Sequence, residues 1–163
     1  MKKVVASLLS LSLVLSASVS VLAAEPVKIS KSSQKAAAAN DPYEPNDDPA
    51  FASYINSNTS YSAEIGHVED KDIFKFYAKP GELKFLLNSL TVEKGQFWVI
   101  LHKIDEPGSG TQDFFAVNGN VNFTTNITKE GTYAIYIFDK RVMVENPKPI
   151  KPVPYAFKAI FNQ

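Results

Sequence analysis

From Asp72 to Phe161 the chain is a succession of short runs of alternating polarity, cut by proline and glycine. Asp72 to Ala78 sets Phe74, Phe76 and Ala78 on one face and Ile73, Lys75 and Tyr77 on the other. Successive side chains of a strand point to opposite faces, so a period of two reads as a strand and not as a helix. Pro80-Gly81 then makes a turn. Leu83 to Leu90, Phe97 to Ile104, Phe114 to Val117, Val121 to Ile127, Thr132 to Phe138 and Tyr155 to Phe161 follow, rich in β-branched and aromatic residues. Short runs at regular turn spacing predict an all-β antiparallel domain, a sandwich or a barrel. Prolines 147, 149, 152 and 154 suit an extended crossing between sheets, because proline cannot donate in a central ladder. One short N-terminal helix is predicted over 50–55, with Asp48 as its cap and Pro49 in its first turn.

The residues ahead of this pattern read differently. Lys2 and Lys3 precede an apolar stretch from Val4 to Leu22 that carries six serines, and Val21-Leu22-Ala23-Ala24 offers the small residues of a cleavage site. A membrane span needs about 20 nearly unbroken apolar residues, so residues 1–24 are read as a bacterial signal peptide and the product as secreted. Residues 25–40, with Lys28, Lys31, Lys35 and an alanine run, have little to bury and read as a flexible linker. Residues 41–163 are one domain. Removing residues 1–24 leaves 15 basic against 17 acidic residues, with Arg141 the lone arginine. No basic patch of the kind phosphate backbones demand is present, so nucleic acid is not an expected partner. Cysteine is absent, which excludes thiol catalysis and thiolate metal sites. A monomer free of the membrane after cleavage is expected.

Two oxygen-rich clusters stand out. Tyr43-Glu44-Pro45-Asn46-Asp47-Asp48 is answered about twenty residues later by Glu69-Asp70-Lys71-Asp72. A hard cation such as calcium takes about six to eight oxygen ligands, and the two clusters could supply such a set if the fold joins them. The same residues also suit a turn and a helix cap, with Pro42, Pro45 and Pro49 holding the backbone extended.

Tyr43-Glu44-Pro45-Asn46-Asp47, then Gly66, then Asp70-Lys71-Asp72-Ile73-Phe74-Lys75-Phe76, then Gly131-Thr132-Tyr133 and Tyr155, resembles the bacterial pre-peptidase C-terminal domain. That family is related to the collagen-binding domains of clostridial collagenases, and the resemblance spans about Asp41 to Phe161. It implies a jelly-roll-like β-sandwich and calcium near its N-terminal edge. Carried over residue by residue, it implies Glu44, Asn46, Asp47, Asp70 and Asp72 as metal ligands that clamp the N-terminal segment around one or two ions. No peptidase domain accompanies the motif here, so a role in protease maturation is not carried over, and collagen binding is not carried over because it relies on exposed aromatics that no short motif defines.

Chemistry beyond the cation is sparse. His67 and His102 are the two histidines, and neither Gly-x-Ser-x-Gly nor His-Glu-x-x-His occurs. The chain is therefore read as a non-enzyme. Strand aromatics are the remaining lead, with Tyr77, Trp98 and Tyr136 as candidate ligand-binding residues. Phe97-Trp98-Val99-Ile100-Leu101 is apolar throughout, which fits a strand buried on both faces or one presenting an aromatic strip. The expected function is a secreted, calcium-associated domain that binds an extracellular protein, peptide or matrix polymer. A carbohydrate-binding module and a secreted protease inhibitor or secretion-assisting protein are the alternatives.

Overall fold

The computed structural model describes residues 41–92, 94–142 and 150–163. The signal peptide expected over 1–24, the linker expected over 25–40 and prolines 147 and 149 lie outside them. Within the described residues the alternating runs become strands β1 (Ser53–Tyr54), β2 (Ser60–Ile65), β3 (Asp72–Ala78), β4 (Gly81–Ser89), β5 (Phe97–Lys103), β6 (Thr111–Phe115), β7 (Asn120–Ile127), β8 (Gly131–Asp139) and β9 (Val153–Ile160).

The strands form two sheets, in the orders β1-β3-β8-β5-β6 and β2-β9-β4-β7. Pairing is antiparallel except for the two-residue β1, which lies parallel to β3. The chain changes sheet at every connection except the one from β5 to β6, and Pro80-Gly81 makes the tight crossing from β3 to β4. Gly81 has φ 147°, and a side chain there would collide with Asn162, whose amide donates to the Pro80 carbonyl.

Alternation decides what fills the space between the sheets. Phe74 and Phe76 of β3 meet Leu83, Phe85 and Leu87 of β4, Phe97 and Val99 of β5, Ile135 and Ile137 of β8, and Tyr155 and Phe157 of β9. Phe157 lies at the centre, its ring 4.6 Å from Phe74, 5.8 Å from Phe85 and 5.3 Å from Tyr61. Aromatic pairs at such separations add to the burial of their large surfaces. The two-sheet, all-β architecture expected from the periodicity is the one observed.

Two local readings differ. The helix expected over 50–55 is instead a turn followed by β1. The Asp48 side chain does cap, accepting from the Ala50 N–H at 2.8 Å, and its carbonyl accepts from Phe51 at 2.9 Å. Then Ile55 donates to Lys75 of β3, and Ser53 and Tyr54 join the sheet edge. A helix of one or two turns is costly to nucleate, and a neighbouring strand satisfies the same backbone groups. The strand β2 has no counterpart in the sequence reading, although Ser60 to Ile65 alternates, because its inward residues Tyr61, Ala63 and Ile65 include one small side chain and the run is short. Its inward face is nevertheless Ala63 and Ile65, and it pairs with β9 along its whole length.

Phe157→Ala should cost about 3–5 kcal/mol, the range for deleting a buried aromatic ring. Urea unfolding of the variant measures this, and a loss below about 1 kcal/mol would contradict the central place given to that ring.

Candidate metal centre

The two acidic clusters meet at the edge where β3 begins. The Asn46 carbonyl accepts from the Ile73 N–H at 3.1 Å, and Asp47 Oδ1 accepts from the Lys71 N–H at 2.9 Å. These bonds lay residues 44–47 beside the start of β3. Further back, Asp41 bridges two elements, its carboxylate accepting from Tyr43 N at 2.8 Å and from Glu64 N of β2 at 2.9 Å. Tyr43 then packs edge-on against Phe74, with 5.4 Å between ring centroids. Backbone capture and one aromatic anchor thus tie the segment to both sheets.

Glu44, Asp70 and Asp72 each bring a carboxylate oxygen within 4.8 Å of the others. One oxygen of each is engaged. Glu44 Oε2 accepts from Asn46 N at 3.2 Å, Asp70 Oδ2 from Gly66 N at 2.5 Å, and Asp72 Oδ2 from the Tyr155 hydroxyl at 2.5 Å. The second oxygen of each (Glu44 Oε1, Asp70 Oδ1, Asp72 Oδ1) is buried without a hydrogen-bond partner, and so are both polar atoms of the Asn46 amide. Asn46, Asp70 and Asp72 are fully buried. Buried polar groups are nearly always satisfied, so several orphans at one point signal a missing partner.

Electrostatics points the same way. Burial, opposed by the Gly66 N–H and reinforced by the Glu44 charge, pushes Asp70 up to about 7. Burial and the neighbouring Asp41 charge hold Asp72 well above the usual carboxylate range. Burial and Asp47 raise Glu44 as well. Three carboxylates that each resist ionisation at such close quarters can be relieved by protons or by a cation. The donor atoms are oxygens throughout, which suits calcium or magnesium and not a thiolate- or imidazole-seeking metal. The His67 ring, whose Nδ1 lies 2.8 Å from the Val68 carbonyl, is not among the groups that converge within 4.8 Å.

Of the five ligands expected, Glu44, Asp70 and Asp72 converge, and these three and Asn46 carry a buried side-chain oxygen without a partner. Asp47 stands outside the trio and serves as the clamp on Lys71. The sequence reading missed the roles of Tyr155 and Asp41. A tyrosine leading the inward face Tyr155, Phe157, Ala159 was a usable signal, because its hydroxyl must find a partner inside.

Tyr77, Trp98 and Tyr136 fall on one surface, the outer face of the five-stranded sheet. Trp98 stands opposite Phe138 on β8 and Phe115 on β6, while Tyr136 stands opposite Ile73 and Ile100. The apolar run in β5 is therefore buried on one side and half-buried on the other. Tyr77 is 49 % exposed and its hydroxyl donates to Glu130 at 2.5 Å. Trp98 donates its indole N–H to Asp113 at 3.2 Å, and Tyr136 packs over the small cluster of Ala52, Ile73 and Ala134.

No family model matches the chain, and no curated protein does. Among solved structures, the pre-peptidase C-terminal domain of a collagenase from Bacillus anthracis matches with a TM-score of 0.51 at 18 % identity, covering 66 % of this chain and 93 % of that one. The chain shares that fold, and the resemblance read from the Glu-Pro-Asn-Asp motif holds at the level of architecture. Weaker likenesses, each with a TM-score of 0.44, are to a Yersinia pseudotuberculosis-derived mitogen and to an Aeromonas hydrophila periplasmic inhibitor of g-type lysozyme. The mitogen is 14 % identical over 67 % of this chain and 89 % of its own, the inhibitor 13 % over 68 % and 96 %.

In divalent-free buffer, stability should fall as pH rises. The folded value of Asp70 lies above its value of 3.8 in the unfolded chain. Its contribution is therefore full below about pH 4 and is lost as pH climbs through about 7. Chemical unfolding across that window should show a decline that Asp70→Asn flattens. Parallel curves for the two proteins would refute the assignment.

Proposed function

We propose that this chain is a secreted, non-catalytic binding domain whose N-terminal edge is fastened by calcium. The observation that carries the cation is the set of four oxygens, on Glu44, Asn46, Asp70 and Asp72, that are buried together without partners. Calcium would take these oxygens as ligands and supply the positive charge the carboxylates lack. The chain's own residues do the rest. Tyr155 orients Asp72 from the opposite sheet, Gly66 orients Asp70, and Asp47 and the Asn46 carbonyl hold the segment against β3. Secretion rests on the leader sequence, and the jelly-roll-like wrapping on the motif.

The binding surface in this reading is the outer face of the five-stranded sheet. Tyr54, Tyr77 and Phe115 are all about half exposed or more there, beside the half-buried Trp98 and Tyr136. Exposed aromatic surface on this scale suits an extracellular protein or a matrix polymer. The adjacent Trp98 and Phe115 rings, 5.6 Å apart and near-parallel, favour a sugar polymer as the second reading. No motif for hydrolysis or for group transfer accompanies either surface, and function is argued from the sites that are present.

Calcium titration by calorimetry should give saturable binding that Asp70→Asn abolishes, with protons released as the carboxylates ionise. At about a hundred times its dissociation constant the ion should add about 2.7 kcal/mol, a rise of roughly 10 °C in the melting midpoint. An unchanged midpoint in saturating calcium would sink the cation reading.

A further inference from the structure

A concavity of about 350 Å³ opens between the Lys94–Gly95 loop and the turn that joins β6 to β7. Its size is within the range of small-ligand sites. Lys94, Gln96, Phe115, Asn118, Gly119 and Lys140 line it. Each lysine has a contact that places its stem or its head. A Cβ on Gly119 would lie 2.6 Å from Lys94 Cβ, so the stem of Lys94 rests directly on that glycine. Gly119 itself has φ 80° beside Asn118 at 52°, in a turn closed by reciprocal bonds between Val117 and Asn120. That conformation is the Asn-Gly turn of tight hairpins. The Lys140 backbone donates to Gln96 at 2.7 Å, and its ammonium lies 5.3 Å from the Phe115 ring centroid.

Neither ammonium is paired with a carboxylate among the described residues. Elsewhere in the fold basic groups do find such partners, as Arg141 does with Asp139 at 2.7 Å and Lys129 with Glu106 at 2.5 Å. Two positioned cations at one cavity, with an aromatic wall, make a surface complementary to an anion that carries an apolar flank. The amides of Gln96 and Asn118 add donors and acceptors that suit hydroxyl groups.

We propose that this pocket binds the anionic group of an acidic polysaccharide, with the sugar ring lying along Phe115 and Trp98. Trp98 and Phe115 are cross-strand partners with ring centroids 5.6 Å apart, so they form one apolar strip beside the lysines. An apolar strip flanked by amides that match hydroxyl groups favours a sugar, and poly-glutamate is the peptide control. The proposal shares its aromatic wall with the binding-face reading above and is independent of calcium.

The test is calorimetric titration of the full chain with four probes: an oligogalacturonate, a sulfated oligosaccharide, a neutral glucan and poly-glutamate. Binding to the uronate or the sulfated probe is expected, and which of the two binds identifies the anion. It should weaken steeply between roughly 0.05 and 0.5 M salt, as screening of exposed charges requires. Lys94→Ala with Lys140→Ala should weaken it by about tenfold or more, the scale of a lost charge-assisted hydrogen bond. The double variant should keep the melting midpoint and calcium titration of the parent, since both lysines are exposed. Equal binding of the neutral glucan, tighter binding of poly-glutamate, no binding of either acidic sugar, or an unaffected double variant would each overturn the proposal. Loss of sugar binding in Trp98→Ala but not in the double lysine variant would keep the aromatic face and reject the pocket.

Discussion

Asp72 opens β3 in one sheet, and its Oδ2 accepts the hydroxyl of Tyr155 from β9 in the other. A carboxylate is thereby fixed at the seam of the sandwich, fully buried, with its second oxygen unpartnered. Leaving a buried charge uncompensated is among the costliest things a fold can do. Everything at this edge is arranged around that oxygen. The segment from Asp41 to Asp47 brings Glu44 and Asn46 to it, and the loop from Gly66 brings Asp70. Carboxylates packed this closely are relieved by protons or by positive charge. With one oxygen of each left buried and unpartnered, the cluster could hold a metal ion.

The sandwich makes such a cluster affordable. Phe74, Phe76, Phe85 and Phe157 are buried between the sheets, and at about 25 cal/mol per Å² of apolar surface such rings supply the favourable term that offsets chain entropy. With no cysteine in the chain, no disulfide shares that task. The aromatic core also reaches the cluster directly. Tyr155 continues the row through Phe97 at 5.2 Å and Phe157 at 6.1 Å, so the residue that orients Asp72 is itself locked by ring packing.

What was legible in the sequence follows from how local each signal is. The period-two pattern of Asp72 to Ala78 survives intact as β3, because Phe74 and Phe76 face the core while Lys75 and Tyr77 face outward. The outcome at Ala50 to Ile55 was not legible, because a cap and a good helix start are local facts whereas the competing edge of β3 is a distant one. The same holds for Ser60 to Ile65, whose partner β9 lies about ninety residues further on. In the site, the carboxylates announced themselves by clustering. Tyr155 carried only a weak signal, a hydroxyl on an apolar face, and nothing in the motif foretold that one oxygen of Asp47 holds the Lys71 amide.

The carboxylate cluster and the aromatic face share one strand, β3. Ile73 follows Asp72, so its N–H is held by the Asn46 carbonyl on the cluster side while its side chain lies under Tyr136 on the outer side. Ala52, four residues beyond Asp48, completes the same small cluster. The stretch that leads out of the cluster therefore also supports the floor of the outer face. Whatever fixes residues 44–47 fixes the start of β3, and with it the packing beneath Tyr136. Order at the carboxylate cluster and order beneath Tyr136 are thus linked through Ile73 and Ala52. β1 is two residues long and parallel to its lone partner, the kind of edge that holds only when its flanks are tied down.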